Sequence, residues 1–133
     1  MQKAYETIED YFLAVKKALT DIQAVILSSL ITFEGRTQTE GTIYGKLVFI
    51  DKSELFLREF IHIENKLLQL LTYRYHWQDE NQQLIARWDN APHFPEVKSF
   101  PAHKHTSNKV EESELKTITD IIQDIIQKIK IGD

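Results

Sequence analysis

The chain has 133 residues, of which 42% are apolar and 27% charged, and its formal net charge is −4. This balance suits one globular domain, argues against general disorder, and denies the molecule a strong positive field, so any nucleic-acid contact must come from a local patch. There is no cysteine, which excludes disulfides and thiolate metal sites.

The N-terminus, MQKAYETIEDYF, carries acids where a secretory signal would be basic. The longest apolar run, Ala24 to Phe33, is too short to span a bilayer. A cytoplasmic protein with no membrane association is therefore expected. Tyr5, Ile8, Phe12, Val15 and Leu19 recur at three- and four-residue spacing, which predicts an N-terminal helix.

The period then falls to two. Strands are predicted over 24–33, 42–50, 55–63, 68–78 and 84–90. Gly35 and Gly41 flank RTQTE and suit the closure of the first hairpin. Short connections favour antiparallel neighbours, so the simplest topology is a meander. At the C-terminus Leu115, Ile118, Ile122, Ile125 and Ile129 line one face of a second helix, widened by Ile121 and Ile126. Ser113 is its expected N-cap, with Glu114 in the first turn. The expected fold class is α+β: a five-stranded, mainly antiparallel meander sheet with N-terminal and C-terminal helices packed on one face. Residues 1–133 form a single domain in this reading.

Alternation sorts the strand residues into faces. Leu71, Tyr73, Tyr75 and Trp77 share one face with Leu84, Ala86 and Trp88 of the next strand. A tight turn near Glu80 and Asn81 gathers Arg74, His76, Arg87 and Asp89 on the other. Glu59 sits among Leu55, Leu57, Ile61 and Ile63, so it must be paired or have its pKa raised. A structural ion pair with an arginine is the favoured reading over a general base, and Phe56 and Phe60 suggest a strand buried on both sides.

The segment DNAPHFPEVKSFPAHKH, from Asp89 to His105, holds all three prolines and three of the five histidines. Proline fixes a torsion and biases its predecessor toward extended backbone, so an ordered, extended loop is expected. His103 and His105 are two apart and project to the same side if extended, with Lys104 opposite. Three readings stand. The histidines bind a metal such as zinc or manganese, with Asp89 as an oxygen ligand. They act as general base and acid in phosphodiester cleavage, with Arg74, Arg87 or Lys104 stabilising negative charge. Or they hold the loop down through backbone hydrogen bonds. No glycine-rich phosphate loop and no G-x-S-x-G nucleophile elbow is present.

Three blocks carry a resemblance: YRYHWQD (Tyr73 to Asp79), RWDNAPHFPE (Arg87 to Glu96) and FPAHKH (Phe100 to His105). They resemble the TumE family, whose members are assigned as toxins of prokaryotic type II toxin–antitoxin pairs. The shared positions are Tyr75, His76, Arg87, Asp89, Asn90, Pro92, His93, Pro95, Pro101, His103, Lys104 and His105. The chain departs from the family pattern at Trp77 and Trp88, where tyrosine is common, and at Phe94 and Ala102, where histidine is expected. A site that needs either of those histidines would be weakened.

The resemblance implies a toxin neutralised by a helix-turn-helix protein antitoxin. Many toxins of this class cleave RNA, so metal-independent ribonuclease action is the expectation by analogy. It would use His76, Arg87, Asp89, His93, His103 and His105 as the catalytic set and Arg74, Tyr75, Asn90 and Lys104 as substrate contacts. No cofactor is expected, with zinc or manganese as the alternative. The competing reading is a non-enzymatic binding module whose histidine cluster is structural or binds a metal.

Overall fold

The structure is a computed structural model and describes residues 3–131. Helix α1 (Ile8–Asp21) leads through a short 3-10 turn (Gln23–Val25) into a run of seven strands. These are β1 (Ile26–Gly35), β2 (Glu40–Phe49), β3 (Glu54–Glu64), β4 (Leu67–Gln78), β5 (Leu84–Asp89), β6 (His103–His105) and β7 (Val110–Glu112). Helix α2 (Ile118–Ile131) closes the described chain. The strands lie side by side in chain order, and every pairing is antiparallel.

The α+β class and the meander are therefore as expected, but the sheet has seven strands rather than five. The two additions, HKH and VEE, are three residues each and largely polar, too short to show a period. The segment before β6 is also not extended. It is a chain of turns, with His93 N–H donating to Ala91 O, Val97 to Phe94, Phe100 to Val97 and Ala102 to Ser99. The Phe100–Pro101 peptide bond is cis.

Both helices cover one face of the sheet. Tyr11, Phe12 and Val15 of α1 and Ile118, Ile121, Ile122 and Ile125 of α2 are buried in one cluster with Ile43, Leu57, Tyr75, Trp77 and Trp88. Helix α1 starts with a reciprocal cap: Thr7 Oγ1 accepts from the Asp10 amide, and the Asp10 carboxylate accepts from the Thr7 amide. Helix α2 does not start at Ser113, whose hydroxyl donates to Glu114 O. Its first residue is Ile118, and the Thr117 amide and hydroxyl both donate to Asp120 Oδ2. Leu115 therefore precedes the helix and is exposed.

The other sheet face carries no helix among the described residues. Two local features set which side chains reach it. A bulge opposite Phe60 and Ile61 makes Leu71 the extra residue of β4, so Leu70 turns inward and Leu71 outward, against simple alternation. Phe56 is 40% exposed, so β3 is not buried on both sides.

Gly45 has φ +153°, and a Cβ there would lie 2.0 Å from Leu30 O on β1. Gly45→Ala is expected to destabilise by at least about 1–3 kcal/mol, because the strained torsion and the backbone clash both oppose β1–β2 pairing. A lowered urea midpoint would show it; an unchanged midpoint would mean the hairpin accommodates the methyl group.

Glu59 lies at the centre of the core and is fully buried. Among the described residues no arginine pairs with it, contrary to the sequence expectation. Its Oε1 accepts from Tyr11 Oη at 2.7 Å, and its Oε2 from Tyr75 Oη at 2.6 Å and from the Ile118 amide at 2.7 Å. Burial pushes its pKa up, and the two tyrosines and the amide pull it back down. The donors come from α1, β4 and the first residue of α2, so one carboxylate joins both helices to the sheet.

Candidate functional site

The site grows from the face opposite the helices. Ala86 and Trp88 of β5 turn into the core, so Arg87 and Asp89 point out. Antiparallel register sets Arg74 beside Asp89, and His76 beside Arg87. On the other side β6 sets His103 beside Asp89, and His105 beside Arg87. Residues 11 to 18 apart in sequence thus stand side by side.

Asp89 is 7% exposed. Its Oδ1 accepts from the Ala91 amide at 3.0 Å and lies 2.9 Å from His103 Nε2. Its Oδ2 is 3.6 Å from His105 Nε2. His103 Nδ1 is 2.8 Å from Pro101 O, and a carbonyl can only accept, so Nδ1 carries the proton. The close approach of Nε2 to Asp89 is not aligned as a hydrogen bond, and this buried nitrogen has no partner among the described residues. A lone pair on Nε2 would face a carboxylate oxygen. Positive charge at that point, a proton or a metal ion, would relieve the repulsion.

Phe94 closes this cluster from the turn segment. Its ring meets His103 and His105 edge-on, at 5.0 and 5.4 Å between centroids, and the two imidazoles are 4.8 Å apart. Burial lowers the His105 pKa, while Asp89 acts to raise it and His103 and the two arginines act to lower it. At neutral pH His105 is therefore mainly a free base.

A cavity of about 640 Å³ opens over these groups, with Arg74, Arg87, Asp89, His93, His103 and His105 in its wall. Arg87 Nε is buried without a partner among the described residues. An anion in the cavity would meet two guanidinium groups.

The remaining sequence-predicted residues separate. His93 is exposed on the wall of this cavity. Asn90 also lines it, but its amide is used structurally: Oδ1 accepts from the Tyr73 amide, and Nδ2 donates to Leu71 O. His76 lies in an adjoining cavity of about 350 Å³ with Phe56, Arg58 and Arg74. Burial lowers its pKa, and its Nε2 is 3.0 Å from Gln78 Oε1.

Tyr75 does not reach either cavity. It is fully buried against Glu59. Lys104 points to the helix side, where its Nζ sits 5.3 Å over the Trp88 ring. Phe56 and Arg58 are the site-face residues that the sequence reading did not select. Alternation places Phe56 on the face opposite Leu55 and Leu57, expected to be buried as well, and only the cross-strand register shows that both stand beside β4 residues of the cavity walls.

Asp89, His103 and His105 each offer a ligand atom, and these atoms lie within 4.8 Å of one another. This is a donor set that suits a divalent cation, with His103 oriented through its Nδ1 carbonyl contact. No helix among the described residues is long and apolar enough to cross a membrane.

A family model described as toxin TumE matches residues 15–131. No curated protein and no solved structure matches the chain.

Proposed function

Because the chain belongs to the TumE toxin family, we propose that it is the toxin of a toxin–antitoxin pair and that it acts by cleaving RNA at the Asp89–His103–His105 cavity. The observation that carries this reading is the convergence of a neutral imidazole, a buried carboxylate and two guanidinium groups on one hollow. In this scheme His105 accepts the proton of a ribose 2′-hydroxyl, whose oxygen attacks phosphorus. The P–O bond to the 5′ oxygen breaks, and His93, on the cavity wall, donates the proton that the leaving oxygen needs. The products are a 2′,3′-cyclic phosphate and a free 5′-hydroxyl. Arg74 and Arg87 bind the phosphate, and charge there grows in the transition state, where such contacts count most. Asp89 and His103 hold the His105 ring in place.

A protein antitoxin of the helix-turn-helix type is the partner in this reading. Expression without that partner is expected to arrest growth and fragment cellular RNA. Normal growth and intact RNA, with folded protein present, would refute the proposal.

The cluster of three donor atoms supports a second reading, in which Asp89, His103 and His105 hold zinc or manganese. A bound cation would supply Lewis-acid activation at the phosphate. Elemental analysis of the purified protein and cleavage in the presence of a chelator separate the two. Full cleavage by metal-free protein supports proton transfer alone. Stoichiometric metal with chelator-sensitive cleavage supports the second.

A further inference from the structure

We infer that the helix-free sheet face is a platform for single-stranded RNA, leading across β2, β3 and β4 into the cavity; this rests on the cleavage reading above. Two adjacent rows cross the strands in register. One runs Tyr44, Arg58, Arg74, Asp89, and the next runs Lys46, Phe56, His76, Arg87. With neighbouring strands about 4.8 Å apart, the path from β2 to β6 is about 19 Å long, enough for several nucleotides.

These rows are cationic on their β3 to β5 side. They hold Lys46, Arg58, Arg74 and Arg87 with the carboxylate of Asp89, and Glu54 and Glu34 stand at their outer end, Glu34 accepting from Tyr44 Oη, so the free positive charge lies on the three arginines. Arg58 and Arg74 are exposed, and Phe56 is 40% exposed. Lys46 pairs with Glu54 at 2.7 Å and sits 5.3 Å from the Phe56 ring centre. Phe56 and His76 stand 6.4 Å apart between ring centres, in the cavity that shares Arg74 with the first.

An exposed aromatic ring in a cavity with the Arg58 and Arg74 guanidinium groups fits a base stacked on a protein surface, with its flanking phosphates held by charge. A duplex keeps its bases stacked on each other and offers the ring nothing. The occupant is therefore single-stranded, and the arginines that continue into the cavity align the strand with His105.

The test uses the purified full chain and two probes. The first is a labelled, non-cleavable 2′-O-methyl oligonucleotide, followed by fluorescence anisotropy as a single strand and as a duplex. The second is cleavage of a dinucleotide and of a longer oligonucleotide. Phe56→Ala is expected to weaken single-strand binding about tenfold, the loss of one stacked base. Arg58→Ala is expected to reduce the slope of log affinity against log salt by about 0.7. Phe56→Ala should lower kcat/KM for the oligonucleotide by a larger factor than for the dinucleotide.

Equal binding of single strand and duplex, no binding at all, or an unaltered Phe56→Ala variant would overturn the platform. Phe56-dependent binding without cleavage by the parent protein would sink the ribonuclease reading and leave the platform standing. Binding by the antitoxin alone at Phe56, with RNA excluded from the free toxin, would assign the face to a protein and overturn the inference.

Discussion

Replacing Glu59 by alanine is expected to cost about 3–5 kcal/mol, because two buried donors lose their acceptor and a cavity opens at the centre of the core. The donors are Tyr11 Oη and the Ile118 amide. Tyr75 is spared, since its hydroxyl also lies 2.9 Å from Lys116 O. The loss falls at the start of α2, so detachment of that helix should accompany it. Glu59→Gln keeps the volume and one acceptor, and its penalty should be smaller.

The parent and Glu59→Gln also differ with pH. Burial raises the Glu59 pKa, so the folded chain holds this proton more tightly than the unfolded chain does. Stability contributed by the protonated acid is complete below the unfolded carboxylate value and is lost as pH rises through the raised folded value. Glutamine has no such loss. The penalty of Glu59→Gln should therefore shrink as pH climbs from the acid side toward neutrality. Urea unfolding of both proteins across that window measures it, and a penalty that grows with pH would contradict the assignment.

The second large effect concerns chemistry rather than folding. His105→Ala should reduce RNA cleavage by about 10²- to 10⁴-fold, the ordinary range for a lost general base. The ring is partly exposed, and its approach to Asp89 is a loose 3.6 Å. Its unfolding midpoint should stay close to that of the parent. His103 offers the contrast: it is 1% exposed and donates to Pro101 O, so His103→Ala should lower both stability and cleavage. Single-turnover cleavage, read beside a denaturation curve for each variant, separates these outcomes. Full activity in a folded His105→Ala protein would remove His105 from the proton-transfer role.

Much of the frame was legible because it rests on periodicity. Five long strands and two helices announced themselves through runs such as LLQLLTYRYHWQ and ITDIIQDIIQKI. Alternation alone also gathered Arg74, His76, Arg87 and Asp89 on one face. What stayed hidden depended on partners distant in sequence. The donors to Glu59 lie 48, 16 and 59 residues away, and nothing local distinguishes a tyrosine that reaches it from an arginine that does not. The outward turn of Leu71 follows from one bulge, which shifts the phase of the residues before it. Strands β6 and β7 are held by register and burial rather than by their own propensities. Phe94 is a departure from the family pattern, and in place of a titrating ring it presents an apolar edge to both imidazoles.

The order of the strands has a consequence for how the molecule assembles. Each strand joins the edge left by the one before it, so hairpins can add successively at little loop-closure cost. Arg74 to His105 form one contiguous stretch, and the candidate hollow can take shape from near neighbours along the chain. The clasp at Glu59 is the opposite kind of contact, since it waits for residue 11 and residue 118 to arrive together. A nascent chain can therefore outline this hollow before its last helix is available to lock the fold.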